Sequence, residues 1–364
     1  MIEIVLNELL QFKLLISIVV SFSLYAVIIF MWSKLQRSYL FFKQYSGIQR
    51  THEGEIPRIG GLVIFINLSI FWLLNSNQQS LIFIQFFLVS SLPLLLISLK
   101  EDVFHNTYPI TRLMAMCVSI ILFFIIYDIE FPKIEAPFLG EWLTHFPLFA
   151  KIFFLLCVLV IINGSNLIDG TNGLLPITIL MQLLSLMYIC YVTNDIELMT
   201  CLSSLLIPLL IFLIFNYPWG KIFLGDAGAY LLGFMTSLLT IILFSKHPEL
   251  PTWLGVAILF YPGFELLFSM MRRSFQHKKQ MSPDQEHLHN MIFNLLKKNN
   301  INTRYANSLV MPSLIIFWGL PFILILTIRD DIFLIGFFIL TMIIIYLGFY
   351  WIIYCKNRNN EYRN

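Results

Sequence analysis

Long apolar runs separated by short polar stretches make up nearly the whole chain. A helix that crosses a bilayer needs about 20 mostly apolar residues. Runs of that kind recur near 11–33, 61–74, 81–99, 109–127, 148–165, 173–193, 196–216, 227–245, 251–271, 308–328 and 332–354. Eleven such runs predict an all-α polytopic integral membrane protein, a single membrane-embedded domain over 1–364. The run at 61–74 is the shortest. The first is too long, and too polar at its flanks, for a cleaved signal peptide, and no small-residue cleavage site follows it. It is expected to remain as an anchor. No soluble domain, internal repeat or low-complexity tract interrupts the pattern.

Composition narrows the class further. Of 364 residues, 58% are hydrophobic and 12% charged, against roughly 25% charged in soluble domains. A soluble globular protein and a disordered chain are both excluded. The five cysteines form no CxxC and sit mostly within apolar runs, as small lipid- or core-facing residues do. A net charge of +2 gives no basis for a nucleic-acid partner.

Where the charges sit is more telling than their sum. With the N-terminus outside and the sides alternating, one set of loops holds 18 of the 23 Lys and Arg residues. The positive-inside rule makes that set cytoplasmic. The expected topology is therefore N-outside and C-inside, with cytoplasmic loops at 34–60, 100–108, 163–172, 217–226 and 272–306. The segment 128–147 is the main external loop and is acidic.

Ionisable and amide side chains beside a membrane span are costly and mark function. Four clusters stand out, and all fall on the cytoplasmic side. The first is Lys100-Glu101-Asp102, where adjacent carboxylates repel unless a cation or a proton relieves them. A solvated helix end is the plain alternative. The second runs from Asn163 through Asn166, Asp169, Gly170 and Asn172 to Gly173. If helical, Asn166, Asp169 and Asn172 share a broad face. Caps between two spans would also use Asn, Asp and Gly, but need only one or two of them. The third is Gly220-Lys221-Ile-Phe223-Leu-Gly225-Asp226, where Lys221 supplies charge suited to phosphate and Asp226 could serve as an N-cap. The fourth joins Arg272 and Arg273 to Asp284, Glu286, His287, His289 and Asn290. Histidines at i and i+2 point to one side of an extended segment. No further ligands at zinc spacing lie nearby. Glu265, near the middle of the ninth run, reads as a bundle-facing residue with a hydrogen-bond partner.

Glu101, Asp102, Asp169 and Asp226 give oxygen ligands without sulfur, which select a hard cation such as Mg2+. Arginine and histidine add charge complementary to phosphate. Carboxylates at the cytosolic edge of a bilayer suit two substrates, one soluble and phosphorylated and one lipid.

In order and spacing, these motifs resemble the polyprenyl-phosphate N-acetylhexosamine-1-phosphate transferases. The segment Arg50-Thr-His52-Glu-Gly-Glu-Ile-Pro57-Arg58-Ile-Gly60-Gly61 looks like that family's first cytoplasmic motif. Glu101-Asp102 stands where the family has an Asp-Asp pair. Asn163 to Leu174 is similar to its NxxNxxDGxDGL motif, Phe223 to Asp226 to its FxGD motif, and His287 to Asn290 to its HxHH motif. Three positions depart from the pattern. Glu101 replaces an Asp and keeps the charge, Asn172 replaces an Asp and loses it, and Asn290 replaces a His. Eleven spans with C-inside fit the branch that uses donors like UDP-GlcNAc. The branch that transfers phospho-MurNAc-pentapeptide usually has ten spans and three histidines.

The resemblance implies an inner-membrane enzyme with its site facing the cytoplasm. It would transfer N-acetylhexosamine 1-phosphate from a UDP-sugar to undecaprenyl phosphate, releasing UMP and starting a surface glycan such as O-antigen or common antigen. It implies Mg2+, with Mn2+ as a substitute, and is compatible with a homodimer embedded in membrane lipid. It casts Asp226 as the leading metal ligand with Asn166 beside it. Glu101 and Asp102 become the acceptor-activating pair, and Asp169 a catalytic carboxylate near donor and metal. Arg58, Asn163, Asn166, Asn172, Lys221, His287 and His289 are cast as substrate contacts. The acceptor phosphate has a second pKa of about 6 and is already ionised at neutral pH, so orientation and charge relief outweigh base catalysis. A covalent aspartyl-phosphate route is the mechanistic alternative. A transporter or flippase would share the hydropathy, but would place polar groups near mid-span and show inverted repeats.

Overall fold

The computed structural model describes residues 2–35, 56–75, 82–277, 284–327 and 330–361. Among them every regular element is a helix. In chain order these are α1 (Ile2–Leu35), α2 (Gly60–Asn75), α3 (Ile82–Phe104), α4 (Pro109–Ile126), α5 (Leu139–His145), α6 (Pro147–Ile168) and α7 (Leu174–Thr193). There follow α8 (Ile196–Asn216), α9 (Gly225–Lys246), α10 (Trp253–Ile258), α11 (Phe260–Phe275), α12 (Leu288–Lys298), α13 (Thr303–Ser313), α14 (Ile315–Thr327) and α15 (Ile332–Glu361). Proline opens α4 and α6 at the first position, where its missing N–H costs nothing. Asp195 caps α8 by accepting from Leu198 N at 3.0 Å.

Eight stretches in the described residues are long and apolar enough to cross a membrane. The apolar cores of α1 and α2, Leu15–Met31 and Gly60–Leu74, are shorter. The ninth expected run, 251–271, is divided into α10 and α11 at Leu259. Pro262 explains the break: it has no N–H to give the carbonyl of Ile258, and its ring crowds that carbonyl. Bulky apolar side chains on the periphery stay exposed, for example Phe337, Ile344 and Trp351 on α15, as lipid-facing positions must.

The centre of the bundle is α9, whose residues from Gly225 to Phe244 are all buried. It packs chiefly against α6 and α3. Against α2 the approach is closest at two glycines. A Cβ on Gly61 would lie 2.2 Å from Gly228 Cα, so no side chain fits at this crossing. Some buried polar groups in the bundle are matched across helices. Asn67 on α2 donates to Ser17 O at 3.1 Å and to Ser21 Oγ at 2.6 Å, and its Oδ1 accepts from Ser17 Oγ at 2.7 Å. Glu265 has partners too, as its position suggested.

Candidate active site

Two segments distant in the chain are joined by their backbones. Pro57 O accepts from Phe223 N at 2.9 Å, Gly60 N donates to Phe223 O at 2.9 Å, and Gly61 N donates to Leu224 O at 3.0 Å. This lays Arg58 beside the first turn of α9. Gly225 turns the chain with φ +73°, and a Cβ there would lie 2.5 Å from both Arg58 O and Asp102 Oδ2. Only glycine meets both demands.

Asp102 comes from the last turn of α3 and is 5% exposed. Its Oδ1 accepts from Asp226 N at 2.8 Å and its Oδ2 from Ala227 N at 2.9 Å. These are orphan donors at the start of α9, and Leu224 at the N-cap offers no side-chain acceptor. Asp102 therefore caps α9 from another helix. Arg58 Nε lies 3.4 Å from Asp102 Oδ1.

Asp226 receives two arginines. Arg58 Nη2 reaches its Oδ1 at 3.2 Å, and Arg112 Nη1 reaches its Oδ2 at 2.8 Å. Arg112 stands in the first turn of α4 and is only partly exposed. Sequence reasoning counted it among the cytoplasmic charges and missed its place at the site. Glu101 turns the other way, and its Oε2 accepts from Thr107 N at 2.8 Å and from the Thr107 hydroxyl. It braces the turn between α3 and α4. His105, in that turn, was also missed. Burial, then the nearby Arg58 charge, hold its imidazole below the usual histidine range.

The second motif reaches the same end of the bundle in parts. The α6 helix continues through Asn163 and Asn166 and stops at Ile168. Asn163 donates to Leu159 O at 2.8 Å, back along its own helix. Asn166 Nδ2 donates to Tyr230 OH at 3.0 Å, one turn into α9 from Asp226. Asp169 is the C-cap residue. Burial raises its carboxyl well above the usual range, Arg58 opposes that rise, and Asp226 and Asp102 add to it. Asn172 lies past the end of the helix, so it does not share the face of Asn166. It donates from Nδ2 to Pro218 O at 3.1 Å, and its backbone N donates to Asn307 Oδ1 at 2.7 Å. Asn216, missed in the sequence, bridges this loop to the next: its Oδ1 accepts from Gly173 N at 2.7 Å and its Nδ2 donates to Ile222 O at 2.8 Å.

The fourth motif closes over the second. His287 has extended backbone ahead of α12. Its ring lies parallel to that of His289, centroids 5.9 Å apart, although His289 is already inside α12. His289 Nε2 lies where a Cβ on Gly170 would come within 2.2 Å of it. Burial, then the charge of His287, push His289 down to about 4. Lys221 is exposed and makes no ion pair among the described residues. Residues 50–55, including His52, lie outside the described residues.

A carboxylate pair, two arginines, an amide-lined helix end and a neutral histidine thus meet at one end of α9. Residues 84–244, which carry most of these groups, match the model of glycosyl transferase family 4. Over that stretch the chain is similar to glycosyl transferase family 4. The chain is 28% identical to an undecaprenyl-phosphate alpha-N-acetylglucosaminyl 1-phosphate transferase of Thermotoga maritima over 67% of this chain and 70% of that one. It is 25% identical to a probable undecaprenyl-phosphate N-acetylglucosaminyl 1-phosphate transferase of Bacillus subtilis over 71% and 72%. It is also 28% identical to a phospho-N-acetylmuramoyl-pentapeptide-transferase of Streptococcus pneumoniae over 62% and 70%. Similarity to these named transferases marks this chain as an enzyme. Arg58, His287 and His289 lie outside the matched range, and the structure brings them to it.

Proposed function

We propose that this protein transfers N-acetylhexosamine 1-phosphate from a UDP-sugar to undecaprenyl phosphate at the cytoplasmic face of a bacterial inner membrane, releasing UMP. The observation that carries the reading is the meeting of Arg58, Arg112, Asp102 and Asp226 at the start of α9. The relatives' names supply the acceptor lipid and the amino-sugar 1-phosphate. We read eleven crossings with the N-terminus outside, and the alternation of helix ends from α2 to α9 fits that reading. The ends of α3, α6 and α8 and the starts of α2, α4, α7 and α9 share one side with these groups. The opposite ends carry the pairing of Lys246 with Asp195 at 2.9 Å.

The oxygen donors suit Mg2+. Among the described residues no three His, Cys, Asp or Glu converge as a metal-holding group, but Mg2+ commonly takes only one or two protein carboxylates and keeps its waters. Asp169, made hard to ionise by burial and by neighbouring Asp226 and Asp102, is a carboxyl that a cation would relieve. Asp226 and Asp169 would hold the ion, with the amide oxygen of Asn166 beside them and Mn2+ as a substitute. Bound there, the ion would spread the charge of the donor diphosphate.

The protein's own groups account for the rest. Arg58 and Arg112 carry guanidinium charge suited to phosphate oxygens and would exchange part of their contact with Asp226 for the donor. The lipid phosphate arrives already ionised, so no base is needed, and Glu101 contributes by bracing the α3–α4 turn. Asp102 acts through α9 by fixing its first turn, which carries Asp226. His287 and His289 would close over the phosphates from the opposite side. Positioning and electrostatics dominate such transfers.

The test is UMP release by the purified protein with undecaprenyl phosphate, a panel of UDP-N-acetylhexosamines, and Mg2+ or EDTA. Metal-dependent UMP from one donor is expected, and it names the sugar. UMP only from UDP-MurNAc-pentapeptide would move the protein to the other branch. No UMP from folded protein with any donor would overturn the reading.

A further inference from the structure

A carboxylate wholly inside an apolar bundle is costly and needs a reason. Glu265 on α11 is 0% exposed, and its partners come from two other helices and the loop between. Its Oε1 accepts from Leu288 N, the first residue of α12, at 3.3 Å and lies 3.6 Å from His287 Nδ1. Its Oε2 accepts from the Tyr346 hydroxyl of α15 at 2.6 Å.

The neighbours repeat the theme. Ser269, one turn along α11, has its Oγ 3.1 Å from His287 Nδ1. Arg272 donates to Asp284 and Glu286, and Arg273 Nε lies 3.2 Å from Asp284 Oδ2. On α15, Tyr350 follows Tyr346 by one turn and donates to Glu286 O at 3.2 Å. One face of α11 and one of α15 are thus aimed at the same seven residues, 284–290. His287 provides no side-chain cap for α12, and Glu265 takes that place as Asp102 does for α9.

We infer that Glu265 is a positioning residue: with Ser269 it fixes the imidazole of His287 and the start of α12, and so sets the histidine pair against the Asp169–Gly170 turn. The kinetic part of this inference rests on the transferase reading above; the structural part does not. It also makes the C-terminal helix α15 a support of the site, although α15 lies beyond the residues matched to the family.

The experiment uses the full-length protein in detergent with two readouts. The first is hydrogen exchange of the peptide covering 284–298. Glu265→Ala is expected to speed exchange there at least tenfold while peptides of α9 keep their protection. Unchanged exchange at 284–298 would overturn the inference. The second is the KM and kcat of UMP release. Glu265→Gln keeps the size and an acceptor but removes the charge facing His287. It is expected to raise the donor KM about tenfold with kcat within threefold of wild type, and Ser269→Ala should move KM in the same direction. Equal losses in kcat alone, or a lowered melting temperature with unchanged KM, would reduce Glu265 to a bundle strut and overturn the positioning role. Should Glu265→Ala fail to fold, Glu265→Gln decides both readouts. Should the wild type release no UMP, the function falls, and exchange still decides whether Glu265 anchors the segment.

Discussion

Asp102→Asn separates a structural carboxylate from a chemical one. In the native protein each carboxylate oxygen takes one backbone N–H at the start of α9, at 2.8 and 2.9 Å. Hydrogen bonds to charged groups contribute about 1.5–3 kcal/mol each. An asparagine keeps one oxygen and turns its NH2 toward the other N–H, so one bond is lost and a buried donor is stranded. Relief of burying the charge offsets part of this, leaving a net loss of about 2 kcal/mol. With an unfolding entropy of about 2.1 cal/mol/K per residue, 364 residues convert that to a fall in Tm of about 3 °C. Melting followed by intrinsic fluorescence in detergent, beside UMP release, reads both consequences. Turnover should fall as well, because the loosened turn carries Asp226. A variant that melts like wild type yet has no activity would refute the reasoning, because Asp102 would then act on the substrate and not on the helix.

Asp226→Asn should show the opposite pattern. Asparagine keeps the size and one acceptor for the two partly exposed arginines, so the loss in Tm should be smaller than for Asp102→Asn while UMP release disappears. An active variant would remove Asp226 from the chemistry. Asn172→Asp sets a carboxylate against Pro218 O, now 3.1 Å from the Nδ2 donor, at a site 6% exposed. A loss of about 2–3 kcal/mol follows, visible as a Tm lowered by several degrees. An unchanged melt would show that the loop rearranges to solvate the charge. His289 is held down to about 4 by burial and His287, against about 6.5 in an unfolded chain. Between those values the unfolded state binds the extra proton, so stability falls as pH drops through that window. His289→Gln should flatten the fall in Tm between pH 6.5 and 4.5, and an identical slope would discount the buried neutral ring.

The clusters were legible in the sequence because ionisable groups at span ends are too costly to be incidental. Asp102, Asp226 and His289 could be picked out that way, whereas Arg58 stood out only through the family resemblance. Their partnerships could not. Arg112 reads as one more positive charge of an inside loop, and only the packing of α4 beside α9 turns it onto Asp226, 114 residues away. Spacing of three suggested one helical face for Asn166, Asp169 and Asn172. The helix ends at Ile168, and Gly173 at φ +78° turns the chain away. The break at Leu259 was within reach, since Pro262 forbids one helical hydrogen bond, but hydropathy alone runs straight through it. Glu265 could be read as bundle-facing, whereas its link to His287 depends on a loop crossing that no periodicity reports.

The α9 helix is enclosed on every side by protein once the bundle is complete. It leaves the ribosome before α11, α13, α14 and α15 exist, so in that interval its flanks have only lipid and earlier helices to meet. Its sequence therefore answers to two solvents in succession. It is apolar enough to be accepted by the bilayer at synthesis, yet carries Gly228, Gly233, Thr236, Ser237 and Thr240 for the dry, close contacts of its final place. A substitution that favoured lipid by adding bulk at those positions would ease the first stage and obstruct the second. The helix that starts at Gly225 is consequently less free to drift than its hydrophobicity suggests.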